Sequence, residues 1–137
     1  MQGLQKDALL HKRVKIYTDG RSINNPGPSY IGVVIKEGRR EIKRISKKIG
    51  EMTSNEAEYR AVIEGIKEAI KMGAKNVEIL TDSELIVKQI KGEYKVRAEN
   101  LKKLNKKVKS LISKFDKFSI KHIPRDKNLA HDVMEEG

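Results

Sequence analysis

The first part of the chain alternates apolar and polar positions in three segments. Val14–Asp19 has the period of two that is typical of a β-strand, and Tyr30–Lys36 and Glu41–Ile49 are also interpreted as strands. Asn24–Pro28 is rich in turn-forming residues, and a short loop at Gly38 joins the second and third segments. The pattern predicts three consecutive strands that form an antiparallel meander, the first of them ending at Asp19.

The spacing of apolar residues then changes to that of helices. Residues recur at helical intervals from Ala57 to Ile70, and Gly73 marks the end of this helix. Leu85–Ile90 and Leu101–Ile112 predict a second and a third helix, the third with its lysines on the side away from the apolar stripe. A short terminal helix follows Arg125.

Two short strands complete the pattern. Val77–Thr81 is a mostly apolar run that fits a buried strand, and Phe118–Ile123 is the last strand. The helix between the meander and the Val77 strand can serve as a crossover, and the Val14 and Val77 strands are then parallel. The sequence therefore predicts an α/β fold in which a mixed five-stranded sheet, an antiparallel meander plus two parallel strands, is flanked by helices.

Length and composition favour one domain with its own core. The chain has 137 residues, 37% of them hydrophobic. We expect residues 1–12 to form a flexible extension and residues 13–137 to form a single domain. The absence of cysteine excludes disulfides, a cysteine-based zinc site and thiol catalysis. No apolar stretch reaches the ~20 residues that span a bilayer, so we expect no membrane partner. We also expect the protein to be monomeric and cytoplasmic.

The positive charge is concentrated in one part of the chain. The formal net charge is +11, and the segment from Leu85 to Arg125 contains 13 Lys and Arg but only three Asp and Glu. A general excess of lysine for solubility or heat adaptation is the alternative. Segregated charge favours contact with nucleic-acid phosphates, and Lys102 and Lys106 on the third helix are candidate contacts.

The candidate catalytic residues are acidic residues at the ends of predicted elements. Asp19 and Asp82 each follow a strand, at the sheet edge where ligands bind in open α/β folds. The alternatives are a turn residue for Asp19, a helix N-cap for Asp82, a capping box with Asn55 for Glu58 and a solvent-facing position for Asp132. Carboxylates that pack together need cations, and Mg²⁺ prefers such oxygen ligands. Together these residues indicate a metal-dependent nuclease.

Four ordered blocks of residues stand between Val14 and Val133. They are Tyr17-Thr18-Asp19-Gly20-x-Ser22-x-x-Asn25-Pro26-Gly27, Thr53-Ser54-Asn55-Glu56-Ala57-Glu58-Tyr59, Thr81-Asp82-Ser83, and His122-Ile123-Pro124-Arg125-x-x-Asn128 followed by Asp132. Together these blocks resemble the type 1 ribonuclease H (ribonuclease HI) family. The resemblance implies a ribonuclease H-like fold and an endonuclease that hydrolyses the RNA strand of RNA/DNA hybrids, leaving 3′-hydroxyl and 5′-phosphate ends.

The resemblance also implies roles for individual residues. In the family, the carboxylates that match Asp19, Glu58, Asp82 and Asp132 hold two Mg²⁺ or Mn²⁺ ions. By that pattern Asp19 bridges both ions and Asp132 holds the ion that activates the water. Glu58 and Asp82 hold the ion that faces the leaving 3′ oxygen. The candidate substrate contacts, some of which have turn or cap roles as the alternative, are Ser22, Asn25, Asn55, Ser83, Arg125 and Asn128.

The loop before the last aspartate departs from the family pattern. Many members carry a histidine in a longer loop there, whereas only three residues separate Pro124 from Asn128 in this chain. We therefore assign His122 to the last strand and expect Arg125 to be the residue near the site that contacts phosphate.

The C-terminal region and the basic surface also depart from the pattern. His131, where the family often has alanine, stands directly beside Asp132. The alternatives for its side chain are to disturb the fourth ligand, to couple to it or, as the commonest outcome, to point to solvent. The terminal helix is brief, and only the short segment from Gly92 to Arg97 stands where some members have a separate basic handle. These departures support a second hypothesis, a non-catalytic module that binds hybrid or double-stranded RNA with a weakened metal site.

Overall fold

The computed structural model describes residues 13–136, so the expected extension at residues 1–12 lies outside the described part. Every predicted helix and strand is present. The strands are β1 (Arg13–Ser22), β2 (Gly27–Glu37), β3 (Arg40–Met52), β4 (Asn76–Thr81) and β5 (Lys117–His122). The helices are α1 (Ser54–Lys71), α2 (Glu84–Lys91), α3 (Glu99–Ile112) and α4 (Leu129–Glu136), with a 3₁₀ turn at Arg125–Lys127.

The five strands form one mixed sheet in the order β3-β2-β1-β4-β5. The first three are an antiparallel meander, while β4 pairs in parallel with β1 and β5 pairs in parallel with β4. The predicted α/β fold is confirmed. Tyr17 lies opposite Leu80, so the residues that follow them, Asp19 and Asp82 among them, come to the same edge of the sheet.

The predicted end of the first strand at Asp19 is wrong. β1 continues through Asp19 because Gly20 and Ser22 still pair with Ile31 and Ser29 of β2. Asp19 is therefore a strand residue with its backbone fixed on the β2 side, which holds the carboxylate more firmly than a turn position would.

The helices α1, α2 and α3 cover one face of the sheet and enclose the core. Ile16 of β1 and Ile79 of β4 are fully buried against Val62 and Ile66 of α1. Gly65 permits this close packing, since a Cβ at that position would lie 2.7 Å from Ile16 Cγ2. Each such buried aliphatic side chain contributes about 1.5–3 kcal/mol, so this face supplies much of the stability on which the site rests.

A buried polar network joins the three helices. The Tyr59 hydroxyl donates to Gln89 Oε1 (2.8 Å) and accepts from Asn105 Nδ2 (3.0 Å). Tyr59 follows Glu58 on α1, and Asn105 lies on the lysine-rich α3. The network therefore fixes the basic helix relative to the helix that carries a candidate catalytic residue.

The opposite face of the sheet is covered in part by α4, which packs on β1, β2 and β3. Lys15, Ser119 and Lys121 point to this face and are exposed. No helix in the described residues is long and apolar enough to cross a membrane.

Candidate active site

Three carboxylates meet at the carboxyl edge of the parallel strands. Asp19 in β1 is 5% exposed, Glu58 lies near the start of α1, and Asp82 directly follows β4. The backbone N–H of Gly20 lies 3.0 Å from both Asp19 Oδ1 and Glu58 Oε1 and can donate to each. A strand and a helix that are distant in sequence are thus joined at one amide group.

Gly20 is a site residue to which the sequence analysis gave no role beyond its place in the first family block. A Cβ at this position would lie 2.3 Å from the carbonyl oxygen of Ala57 and 2.6 Å from the amide nitrogen of Glu58. Only glycine lets β1 approach α1 this closely. The Asp-Gly pair within a strand was the available signal, because glycine inside a strand often marks a close backbone approach.

The predicted capping box of Asn55 and Glu58 is wrong. The box that forms at the start of α1 uses Thr53 and Glu56: Thr53 Oγ1 accepts from the Glu56 amide (3.2 Å), and Glu56 Oε1 accepts from the Thr53 amide (3.0 Å). This arrangement satisfies the end of the helix without Glu58. The Glu58 carboxylate is thereby available at the sheet edge.

Asp82 is held by side chains from the C-terminal region. Asn128 Nδ2 donates to Asp82 Oδ1 (2.6 Å), and Arg125 Nε donates to Asp82 Oδ2 (3.3 Å). The alternative of Asp82 as an N-cap is wrong, because Ser83 caps α2 by accepting from the Ile86 amide (3.4 Å).

The clustered negative charge shifts the pKa of two of these groups. Burial, followed by the Asp82 charge, raises the pKa of Asp19, although His131 and the Gly20 amide oppose the shift. Burial, then the charges of Asp19 and Asp82, hold the pKa of Glu58 well above its usual range. The charged forms of these two carboxyl groups are therefore disfavoured in the metal-free site, and a bound cation would stabilise them.

Asn128 connects three elements and is 2% exposed. Besides Asp82, its Nδ2 donates to the Thr18 carbonyl (3.0 Å), and its Oδ1 accepts from the Ala130 amide (3.1 Å) at the start of α4. The structure thus gives Asn128 a different role from the predicted substrate contact, since its amide is buried and bonded to protein groups. It positions Asp82 and the terminal helix relative to β1.

The structure does not bring the fourth predicted ligand into the cluster. Asp132 is exposed, and its charge is not among those that raise the pKa of Asp19 or of Glu58. Of the three alternatives for His131, the solvent-facing one is wrong, because His131 Nδ1 lies 3.1 Å from Asp19 Oδ2. The short α4 presents His131, one position before Asp132, to the site. The role of Asp132 as a ligand stays a prediction.

The predicted substrate contacts near β1 and α1 have mixed placements. Ser22 Oγ donates to the Met52 carbonyl (2.8 Å), and Asn25 Oδ1 accepts from the Ser54 amide (2.8 Å), so both secure the loop beside α1. Asn55 is exposed on the first turn of α1, where it can reach a ligand.

The predicted cationic contacts lie on the surface. Lys102 and Lys106 are exposed on α3, and Lys102 forms an ion pair with Glu99 (2.9 Å). Arg125 is exposed while its Nε contacts Asp82, which places a guanidinium at the rim of the carboxylate cluster. A phosphate beside the cluster can therefore meet a cation as well as the acidic residues.

The chemistry of the donor set fits a divalent cation. Carboxylate oxygens are the ligands that Mg²⁺ and Mn²⁺ accept, and burial together with the neighbouring carboxylates raises the pKa of Asp19 and of Glu58. In the part of the chain that the structure describes, no three His, Asp or Glu side chains already stand at metal-ligand spacing. The structure thus brings the three carboxylates to one edge of the sheet, but not to the distances of a complete metal site.

Comparisons with known proteins identify the family. Residues 17–134 match the family model described as reverse transcriptase-like. The structure superposes with a TM-score of 0.84 on LC11-RNase H1 in complex with an RNA/DNA hybrid, at 38% identity over 90% of this chain and 95% of that one.

Two curated relatives are longer than this chain. The bifunctional protein Rv2228c of Mycobacterium tuberculosis is 36% identical over 90% of this chain, which spans 36% of that protein. Ribonuclease HI of Halobacterium salinarum is 35% identical over 89% of this chain, which spans 62% of it. The similarity covers the carboxylate cluster and the strands and helices that hold it.

Proposed function

The chain belongs to the reverse transcriptase-like family, with ribonucleases H as its relatives, and on this basis we propose that it hydrolyses the RNA strand of RNA/DNA hybrids. The observation that carries the proposal is the convergence of Asp19, Glu58 and Asp82 on one edge of the sheet, with the pKa of two of them raised. The hybrid bound by the similar LC11-RNase H1 supports the choice of substrate.

Two divalent cations, Mg²⁺ or Mn²⁺, are the proposed cofactors. Asp19, Glu58 and Asp82 would hold them, together with Asp132 once the start of α4 brings that side chain to the cluster. When bound, such ions stabilise the charge of the attacking and the leaving oxygen in phosphodiester hydrolysis. The proposed products are 3′-hydroxyl and 5′-phosphate ends.

The chain's own residues orient the substrate in this proposal. The Gly20 amide and the Asn128 side chain keep the carboxylates of Glu58 and Asp82 in place. Arg125, at the rim, contacts a phosphate next to the scissile bond. Asn55 on α1 is positioned to read a 2′-hydroxyl, the group by which a protein distinguishes RNA from DNA.

The lysines of α3 bind the backbone of the duplex outside the site. Lys102 and Lys106 lie on its exposed face, and the buried Tyr59–Gln89–Asn105 network fixes that helix relative to α1. Charge contacts of this kind make binding salt-dependent without reading sequence.

The test is cleavage of end-labelled RNA in an RNA/DNA hybrid with Mg²⁺, compared with RNA/RNA and DNA/DNA duplexes. Wild type is expected to cut only the RNA of the hybrid, and Asp19→Asn and Asp82→Asn are expected to abolish cutting. Asp116→Asn is the matched control, because it removes an exposed carboxylate from the loop before β5. Equal cutting by the site variants and the control would refute the proposal.

A second candidate function is a non-catalytic nucleic-acid-binding module. One observation favours it: His131 contacts Asp19, while Asp132 remains exposed. This function predicts salt-sensitive binding of the hybrid by wild type, with no metal-dependent cleavage. The same assay therefore separates the two functions.

We further propose that the protein acts as a monomer in the cytoplasm. The core formed by the sheet and helices α1–α3 comes from one chain, and the cysteine-free sequence suits a reducing compartment. Sedimentation velocity at micromolar concentration tests the first point, where a dimer would refute it, and cell fractionation tests the second.

A further inference from the structure

The face of the sheet that α4 covers only in part carries a group of cationic side chains. Alternation along β1 directs every second side chain away from the core, so Arg13 and Lys15 point to this face. Lys15 lies opposite Lys36 of β2, while Arg13 lies opposite Asn76, which in turn lies opposite Lys117 of β5. We refer to Arg13, Lys15, Lys36 and Lys117 as the basic patch.

Two acidic groups near the basic patch pair with cations outside it. Glu78, on the same face, forms an ion pair with Lys121 (3.5 Å). Glu41, opposite Lys36 in β3, accepts from Arg44 (2.9 Å). Among the residues that the structure describes, no member of the patch forms an ion pair. The patch therefore presents a concentrated positive charge to a ligand.

The patch brings like charges together across two strands. Lys15 stands opposite Glu78 of β4 on one side, but on the other it stands directly opposite Lys36 in an antiparallel pair, and like charges in such positions destabilise a sheet. All four patch residues line one surface concavity of about 760 Å³, where they outnumber the two carboxylates of the lining, Glu78 and Asp116. Cations grouped around a concave surface at a cost in stability indicate an anionic ligand.

We propose that the basic patch is a second nucleic-acid-binding surface, which holds the phosphate backbone of a duplex. The other side chains on this part of the face are Asn76, Glu78, Ser119 and Lys121. Tyr17 lies two positions beyond Lys15 on this face, and Phe118 lines the concavity, but both rings are half-buried. Among the described residues, the patch thus has no fully exposed ring on which an unpaired base could stack, as surfaces for single strands require. Phosphate contacts alone suit a duplex whose bases stay paired.

The patch is separate from the carboxylate cluster. Lys15 precedes Asp19 by four residues on the same strand, a separation of ~13 Å along β1. A duplex on the patch is held and not cut. Such a contact keeps the protein on nucleic acid and raises the effective concentration of substrate at the cluster. This inference goes beyond the proposed hydrolysis and does not depend on it.

The test measures binding of a fluorescent 12-base-pair DNA duplex by the full chain, without divalent metal, over a range of salt concentrations. The patch variant replaces all four patch residues with Gln. The control variant removes the same charge from exposed positions outside the patch and outside the proposed substrate contacts, namely Lys67, Lys71, Lys91 and Lys114.

Each phosphate that a cation neutralises contributes about 0.9 to the slope of log K against log salt. The patch variant is expected to lower the magnitude of the wild-type slope by about 3.6, and the control variant to keep it. Equal slopes for the two variants would overturn the proposal. The proposal would also be overturned if inorganic phosphate bound to wild type but not to the patch variant while both proteins bound the duplex equally. That result would indicate a site for a small anion.

Folding and catalysis are checked separately. The double variant K15Q/K36Q removes the like-charge pair, so it is expected to have a higher melting temperature than wild type and a slope reduced by about 2. An unchanged slope in this folded variant would also refute the proposal. Since binding is measured without metal, failure of wild type to cleave hybrid would refute only the proposed hydrolysis.

Discussion

Asn128→Ala is expected to destabilise the protein more than any other single amide truncation at the site. Asn128 is 2% exposed, and its side chain joins β1, the end of β4 and the start of α4. The substitution removes all three hydrogen bonds. It leaves the Thr18 carbonyl and the Ala130 amide without their partner, and Asp82 keeps only the longer contact with Arg125.

The magnitude follows from these contacts. A neutral hydrogen bond contributes about 1 kcal/mol and one to a charged group about 1.5–3 kcal/mol. Two neutral bonds and the 2.6 Å bond to Asp82 together give a loss of about 3–5 kcal/mol. That is a large part of the ~5–15 kcal/mol by which domains of this kind are stable.

Urea unfolding of the metal-free protein at pH 7 measures this loss. Asn55→Ala is the control, because Asn55 is exposed, and its free energy of unfolding is expected to change by less than about 0.5 kcal/mol. A loss below about 1 kcal/mol for Asn128→Ala would refute the reasoning. At a temperature where the variant is still folded, hybrid cleavage is expected to remain low, because Asp82 is no longer positioned.

Three further predictions concern the carboxylates and their supports. The pKa of Glu58 in the native protein lies above its unfolded value of 4.5, so metal-free wild type loses stability as pH rises from that value. Glu58→Gln is expected to remove this contribution to the pH dependence of the melting temperature. Parallel curves of melting temperature against pH for the two proteins would contradict the prediction. Gly20→Ala places a Cβ against the Ala57 carbonyl and is expected to cost about 1–3 kcal/mol in thermal unfolding, whereas an unchanged melting temperature would show that α1 can shift. Asp132→Asn is expected to slow hybrid cleavage about 100-fold or more with little change in hybrid affinity, and equal losses of rate and affinity would contradict its role as a ligand.

The architecture was predictable because it depends on local periodicity. Alternation in the Val14 segment and helical spacing from Ala57 to Ile70 each reflect which side of an element faces the core, and both predicted elements are confirmed. The parallel pairing of β1 with β4 followed from the crossover helix between them.

The details of the site were less predictable because they depend on contacts between distant residues. The Asn55–Glu58 capping box fitted the local spacing as well as the Thr53–Glu56 box does. The Thr53–Glu56 box forms because the Glu58 carboxylate instead accepts a hydrogen bond from the backbone amide of Gly20, at the edge of the sheet. The orientation of His131 likewise depends on where α4 packs.

The separation of charge within the molecule links metal binding to nucleic-acid binding. Asp19, Glu58 and Asp82 form a negative edge that repels a phosphodiester, while the lysines of α3 and the basic patch attract the flanking backbone. Duplex binding in the absence of metal must therefore come from the basic surfaces alone. A divalent cation that neutralises the edge then adds affinity at the cluster, without adding contacts at α3 or the patch. Mg²⁺ is accordingly expected to strengthen hybrid binding in wild type more than in Asp19→Asn, with the salt slope of binding nearly unchanged.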